Sequence, residues 1–101
     1  MQIYWFVTTI KNLDNPYLLT MRTWGFYLDQ AEAIEDLACN ATDMCEGVYE
    51  YAVLEPYVAG GPLGYVHEED RYWFKYDREK DGYFPIEEPE HMKHVFGFAF
   101  G

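Results

Sequence analysis

The chain has 101 residues, half of them apolar and a fifth aromatic, with 18 acidic side chains against seven basic ones and a net charge of −11. That length holds one domain (residues 1–101) and no second core, and so much apolar surface offsets chain entropy, which argues for a folded globule over a disordered acidic tail. The charge repels nucleic acid and anionic membrane and draws cationic partners.

The charge is concentrated. Residues 23–70 contain no lysine or arginine but hold eleven acids: Asp29, Glu32, Glu35, Asp36, Asp43, Glu46, Glu50, Glu55, Glu68, Glu69 and Asp70. The other seven acids share the rest of the chain with all seven bases, so the whole net charge sits in one block.

The first predicted element is a strand over residues 3–10, Ile-Tyr-Trp-Phe-Val-Thr-Thr-Ile, all β-branched or aromatic and apolar on both faces, hence central. The N-terminal run lacks a basic region and a small-residue cleavage site, so it is not expected to be a signal peptide. No apolar run approaches the ~20 residues of a membrane span. A cytosolic location is expected, in which Cys39 and Cys45 stay reduced as small apolar groups. Residues 12–16 read as a turn and 18–27 as a second strand, with Gly25 marking a bulge or a close approach.

Asp29 and Glu32 form a capping box in which Asp29 accepts from the Glu32 backbone N–H. Ala31, Ile34, Leu37, Ala38 and Ala41 then mark one helical face, with Glu32, Glu35 and Asp36 toward water. The helix ends around residues 40–43. A third strand is predicted over 48–58, with Pro56 near its end, then a glycine loop at 60–64. Residues 71–76 alternate, with Tyr72, Phe74 and Tyr76 on one side and Arg71, Trp73 and Lys75 on the other. A polar connection ending in Asp81-Gly82 leads to Tyr83-Phe84-Pro85-Ile86, a hairpin whose second strand Pro85 confines to an edge. Residues 87–94 read as a loop or short helical turn and 95–100 as a last strand. The predicted class is α+β: one helix on a mostly antiparallel sheet of five to six strands, in two layers.

Little in the chain points to catalysis, and no enzyme is expected. It has no serine, and no threonine stands at a recognisable offset from a histidine. Adjacent carboxylates are common because acids are common, and general acid–base work needs one of them desolvated. His91 and His94 stand three apart beside Glu90, yet no third ligand has metal-site spacing; Cys39 and Cys45 do not match a zinc site either. The glycine loop lacks the spacing of a phosphate cradle. No metal and no cofactor are expected.

One set of residues does carry a resemblance. Arg22-Thr23-Trp24-Gly25-Phe26-Tyr27, then Ala31-Glu32-Ala33-Ile34, then Asn40-Ala41-Thr42-Asp43-Met44-Cys45-Glu46-Gly47-Val48-Tyr49-Glu50-Tyr51-Ala52-Val53-Leu54-Glu55 resemble a set of small acidic proteins of phages and mobile elements in Firmicutes-like bacteria. Their shared pattern runs R-T-W-G-[YF]-[FY], a short helix, and N-x-T-D-[IM]-x-E-x-x-Y-x-Y-A-V-[IL]-E. The match covers residues 1–60, with a looser remainder. The resemblance implies a phage origin, and many accessory phage proteins disarm host defence, which is analogy.

Two functions follow as expectations. The first is a phage-encoded, non-enzymatic inhibitor, anti-CRISPR-like, that binds a basic surface of a host immune protein through Asp29, Glu32, Glu35, Asp36, Asp43, Glu46 and Glu50, with exposed tyrosines adding contact area. The alternative is a sponge that sequesters a cyclic or modified nucleotide messenger, with Arg22, Trp24, Asn40, Tyr49, Tyr51, Arg71 and Trp73 around the ligand; a homo-oligomer would favour it. Physically, Arg22 is expected to pair with Asp43 or Glu46, and Asn40, Thr42 and Asp43 to shape the turn after the helix.

Overall fold

The computed structural model describes residues 2–58, 71–95 and 97–100. Its strands are β1 (Ile3–Ile10), β2 (Met21–Tyr27), β3 (Tyr51–Val58), β4 (Tyr72–Asp77) and β5 (Gly82–Ile86). Helix α1 (Gln30–Ala38) follows β2, and 3-10 turns lie at Ala41–Asp43, Glu90–Met92 and Phe98–Phe100. The glycine loop at 60–64, His67 and the acids Glu68, Glu69 and Asp70 lie outside the described residues.

The strands form one open sheet in the order β2-β1-β3-β4-β5, every neighbouring pair antiparallel. β1 is an inner strand, and all of it pairs with β3, from Ile3 opposite Val58 to Ile10 opposite Tyr51. Pro85 sits on edge strand β5 opposite Phe74, where its missing N–H costs no ladder bond on the open side. The β1–β2 register slips between Val7 and Thr8, so Val7 faces Gly25 and Thr8 faces Thr23. Trp24 is the extra residue of a bulge. A Cβ on Gly25 would meet nothing within 4 Å, so the glycine marks the bulge and no close approach.

Strand alternation gives the sheet two apolar faces. Val7, Ala52, Leu54, Phe74 and Tyr83 meet Ala33 and Leu37 of α1, with Met44 and Cys45 from the segment after it. Ile10, Val53 and Trp73 point the other way and are covered by Leu13, Met92 and Phe98. β1 is apolar on both faces for this reason: a helix covers one and irregular chain covers the other.

Several expectations are corrected. Residues 95–100 are not a strand: Gly97 takes a left-handed φ of 66°, and a 3-10 turn follows at Phe98–Phe100. β2 begins at Met21, not at 18, and β3 at Tyr51, not at 48. The Asp29 carboxylate caps α1 by accepting from Ala31 N at 3.0 Å, not from Glu32. The helix stops at Ala38 and buries Ala33 with Leu37, leaving Ala31 exposed.

The β4–β5 hairpin is jammed against the end of α1. A Cβ on Gly82 would lie 1.9 Å from the Ala38 carbonyl oxygen, so only glycine fits there. Among the described residues, no helix is long and apolar enough to cross a membrane.

Candidate functional site

The predicted acidic residues divide along the chain. Asp29 at the N-cap of α1 and Glu32 and Glu35 on the helix lie exposed. Asp36 is half-buried and accepts a hydrogen bond from the Tyr27 hydroxyl at 2.7 Å. Burial, and next the Asp36 carboxylate, push that hydroxyl up to about 12. Asp43, Glu46 and Glu50 are exposed on the loop that leaves the helix.

That loop carries unusual backbone. Asn40, Thr42, Asp43 and Glu46 all have φ between 48° and 56°, and Gly47 has φ 74°. Left-handed geometry costs a non-glycine residue roughly 1–2 kcal/mol, and more for a β-branched side chain such as Thr42. The buried Asn40 side chain offsets part of this. Its Oδ1 accepts from Cys45 N at 2.8 Å, and its Nδ2 donates to Asp43 Oδ1 at 3.3 Å and to Asp81 Oδ1 at 3.1 Å. Asp81 belongs to the β4–β5 turn and also accepts from the Tyr76 hydroxyl. The Asp81 bond is the largest cause of the rise of that hydroxyl to about 12. One asparagine therefore ties the helix exit, the acidic loop and the hairpin together.

Arg22 pairs with Glu46, and its guanidinium lies 5.2 Å from the centroid of the Trp24 ring. Of the two acids expected for Arg22, Glu46 takes it. Beside this group opens a cavity of about 280 Å3, lined by Asp43, Cys45, Gly47, Val48, Tyr49, Glu50, Tyr76 and Arg78. Backbone bonds join its lining residues: Tyr76 N donates to Glu50 O at 2.8 Å, and Val48 N and Tyr49 N both donate to Cys45 O, at 3.0 and 2.9 Å. Behind it the Tyr83 hydroxyl donates to Tyr49 O at 2.6 Å, and the Tyr83 ring meets Tyr76 edge-on at 5.3 Å.

The structure thus gathers Arg22, Trp24, Asn40, Asp43, Glu46, Tyr49 and Glu50 around one loop. Three of the residues expected around a nucleotide stand apart from it. Tyr51 lies on the opposite sheet face beneath Lys75, whose Nζ is 5.7 Å from its ring centroid. Arg71 and Trp73 are buried on that same face. Arg71 pairs with Glu88 and donates to the carbonyls of Val95, Met92 and Lys93, while Trp73 Nε1 donates to Glu88 Oε1 at 3.2 Å. Both serve to hold the C-terminal segment on the sheet.

Glu55 breaks the expectation of a solvated acidic block. It is wholly buried on the same face. Gly97 N donates to its Oε2 at 3.1 Å, with the N–H groups of Phe98 and Ala99 beside it. Burial still holds its carboxyl above the ordinary range, against the pull of Arg71. Of the suggested histidine pair, His91 is engaged through Nε2 with the Leu13 carbonyl oxygen at 2.7 Å.

Sequence reasoning missed Cys45, Tyr76, Arg78 and Asp81 as site residues. The available signal was the hairpin register: Tyr76 opposite Tyr83 and Asp77 opposite Gly82 place the turn at the end of α1. Comparison with known proteins finds no matching family model, no matching curated protein and no matching solved structure.

Proposed function

We propose that this is a non-enzymatic binding protein, phage-encoded and active in the host bacterial cytosol, that blocks a host immune protein by laying its acidic helix side on that protein's basic surface, as an anti-CRISPR inhibitor does. One observation carries it. Asp29 at the N-cap of α1, Glu32 and Glu35 on the helix, and Asp43, Glu46 and Glu50 on the following loop are exposed in succession; Arg22 pairs with Glu46, and Arg78 shares a cavity lining with Asp43 and Glu50. Carboxylates held so stand in for phosphates on a surface built to bind nucleic acid.

The loop strengthens this reading. Its backbone is pinned by the Asn40 network, so Asp43 and Glu46 are presented with little conformational freedom left to lose. The sponge alternative has less support: Arg71 is enclosed beneath the C-terminal segment and Arg22 is paired with Glu46.

Titration against a guide-free CRISPR effector, at low and at high salt, tests the proposal. Affinity should fall by about tenfold or more between 0.05 and 0.5 M salt, because exposed charges are screened over that range. An affinity that ignores salt, or a protein that fails to compete with nucleic acid for the effector, counts against it.

A further inference from the structure

The cavity beside the acidic loop is not explained by a general acidic surface. Its lining combines two carboxylates, Asp43 and Glu50, with two tyrosines, Tyr49 and Tyr76. A volume of about 280 Å3 is enough to admit one long side chain. Carboxylates disfavour phosphate there, and their pairing with aromatic rings suits a cation that can stack as well as donate.

We propose that this cavity receives a single arginine side chain of the partner protein. The inference rests on the acidic-surface reading above and names the group that the surface grips. A guanidinium is planar, weakly hydrated and carries five donors in a fixed fork. It can lie against a tyrosine face while its edge donates to Asp43 and Glu50. A lysine ammonium is compact and strongly hydrated, gains less from stacking and is harder to desolvate. Asp43 Oδ1 accepts one bond, from Asn40 Nδ2, so most of its acceptor capacity remains. Glu50 accepts at its backbone carbonyl from Tyr76 N, which ties the two lining residues together. Arg78 also lines the cavity. It is exposed on the β4–β5 turn, and its like charge opposes an incoming guanidinium.

The probes are two capped tripeptides, acetyl-Gly-Arg-Gly-amide and acetyl-Gly-Lys-Gly-amide, titrated into the full chain and followed by NMR. The arginine peptide should shift the Tyr49 and Tyr76 ring signals and the Gly47 and Val48 amides, and the lysine peptide should bind several-fold more weakly. Asp43→Asn and Glu50→Gln should each weaken the arginine peptide by about 3- to 10-fold, the range between an exposed and a partly desolvated ion pair. Asparagine tolerates the left-handed backbone at position 43, so that variant keeps its fold, which its amide spectrum checks. Arg78→Ala should tighten binding. Glu87→Gln removes the same charge from an exposed position outside both the cavity and the acidic surface, and should leave the arginine-peptide affinity unchanged. The inference is overturned if the shifts fall elsewhere, if both peptides bind alike, or if Glu87→Gln weakens binding as much as Asp43→Asn. Salt-dependent binding to the effector alongside any of these outcomes would leave the acidic surface standing and remove only the arginine pocket.

Discussion

Asn40 does more than its size suggests. A buried amide makes three hydrogen bonds while its own backbone sits at φ 48°. Asn40→Ala should destabilise the fold by about 2–4 kcal/mol, combining lost hydrogen bonds with the cost of alanine in a left-handed conformation. Asn40→Gly relieves the backbone term alone, so it should recover about 1 kcal/mol of that loss. Urea unfolding of the two variants separates the contributions, and equal stabilities would mean the backbone term is negligible. The role of this residue was half legible: a short polar side chain at a helix end suggests a turn. Its second partner, Asp81, was not, because that contact spans two elements far apart in the chain.

At the scale of elements, the contact between α1 and the β4–β5 hairpin decides whether the site exists. Gly82→Ala puts a methyl group where the Ala38 carbonyl stands and leaves no flexible side chain to move aside. The variant should lose about 3 kcal/mol or more, at or beyond the upper end of overpacking costs, since backbone must separate from backbone. Thermal unfolding measures the loss, and a variant as stable as the parent would show that the hairpin is not seated on the helix. Most elements could be read from side-chain type and period: β1 from its β-branched and aromatic run, the hairpin from Asp81-Gly82, the edge from Pro85. The C-terminal segment could not. Val95 and Phe98 are apolar whether they belong to a strand or to irregular chain packed on a sheet, and the left-handed Gly97 that settles the matter is a conformation, not a letter. The cavity was illegible for a related reason, since Tyr76 and Arg78 reach the acidic loop only through sheet register.

Across the whole molecule, two buried ionisable side chains, one basic and one acidic, fix the irregular layer on the second sheet face. Arg71 takes carbonyls of the C-terminal segment and Glu55 takes amides. The face around Glu55 holds Tyr57, whose hydroxyl donates to Oε1 at 3.4 Å, and Arg71, with Glu88 paired to Arg71. Desolvation outweighs these partners, so the folded-state value of Glu55 lies above its unfolded one. The native state then holds more protons than the unfolded state between those two values. The contribution of Glu55 is fully present below the ordinary carboxylate range and is lost as pH rises through the folded value. Glu55→Gln keeps an oxygen for Gly97 N and removes the titration. Unfolding free energies of both proteins across pH 4 to 8 should therefore diverge, with the parent losing stability relative to the variant as pH rises. The other carboxylates are common to both chains and cancel in the difference. A difference that stays flat, or that runs in the parent's favour with rising pH, would mean that the amides of Gly97, Phe98 and Ala99 hold the carboxylate charged more strongly than burial opposes it.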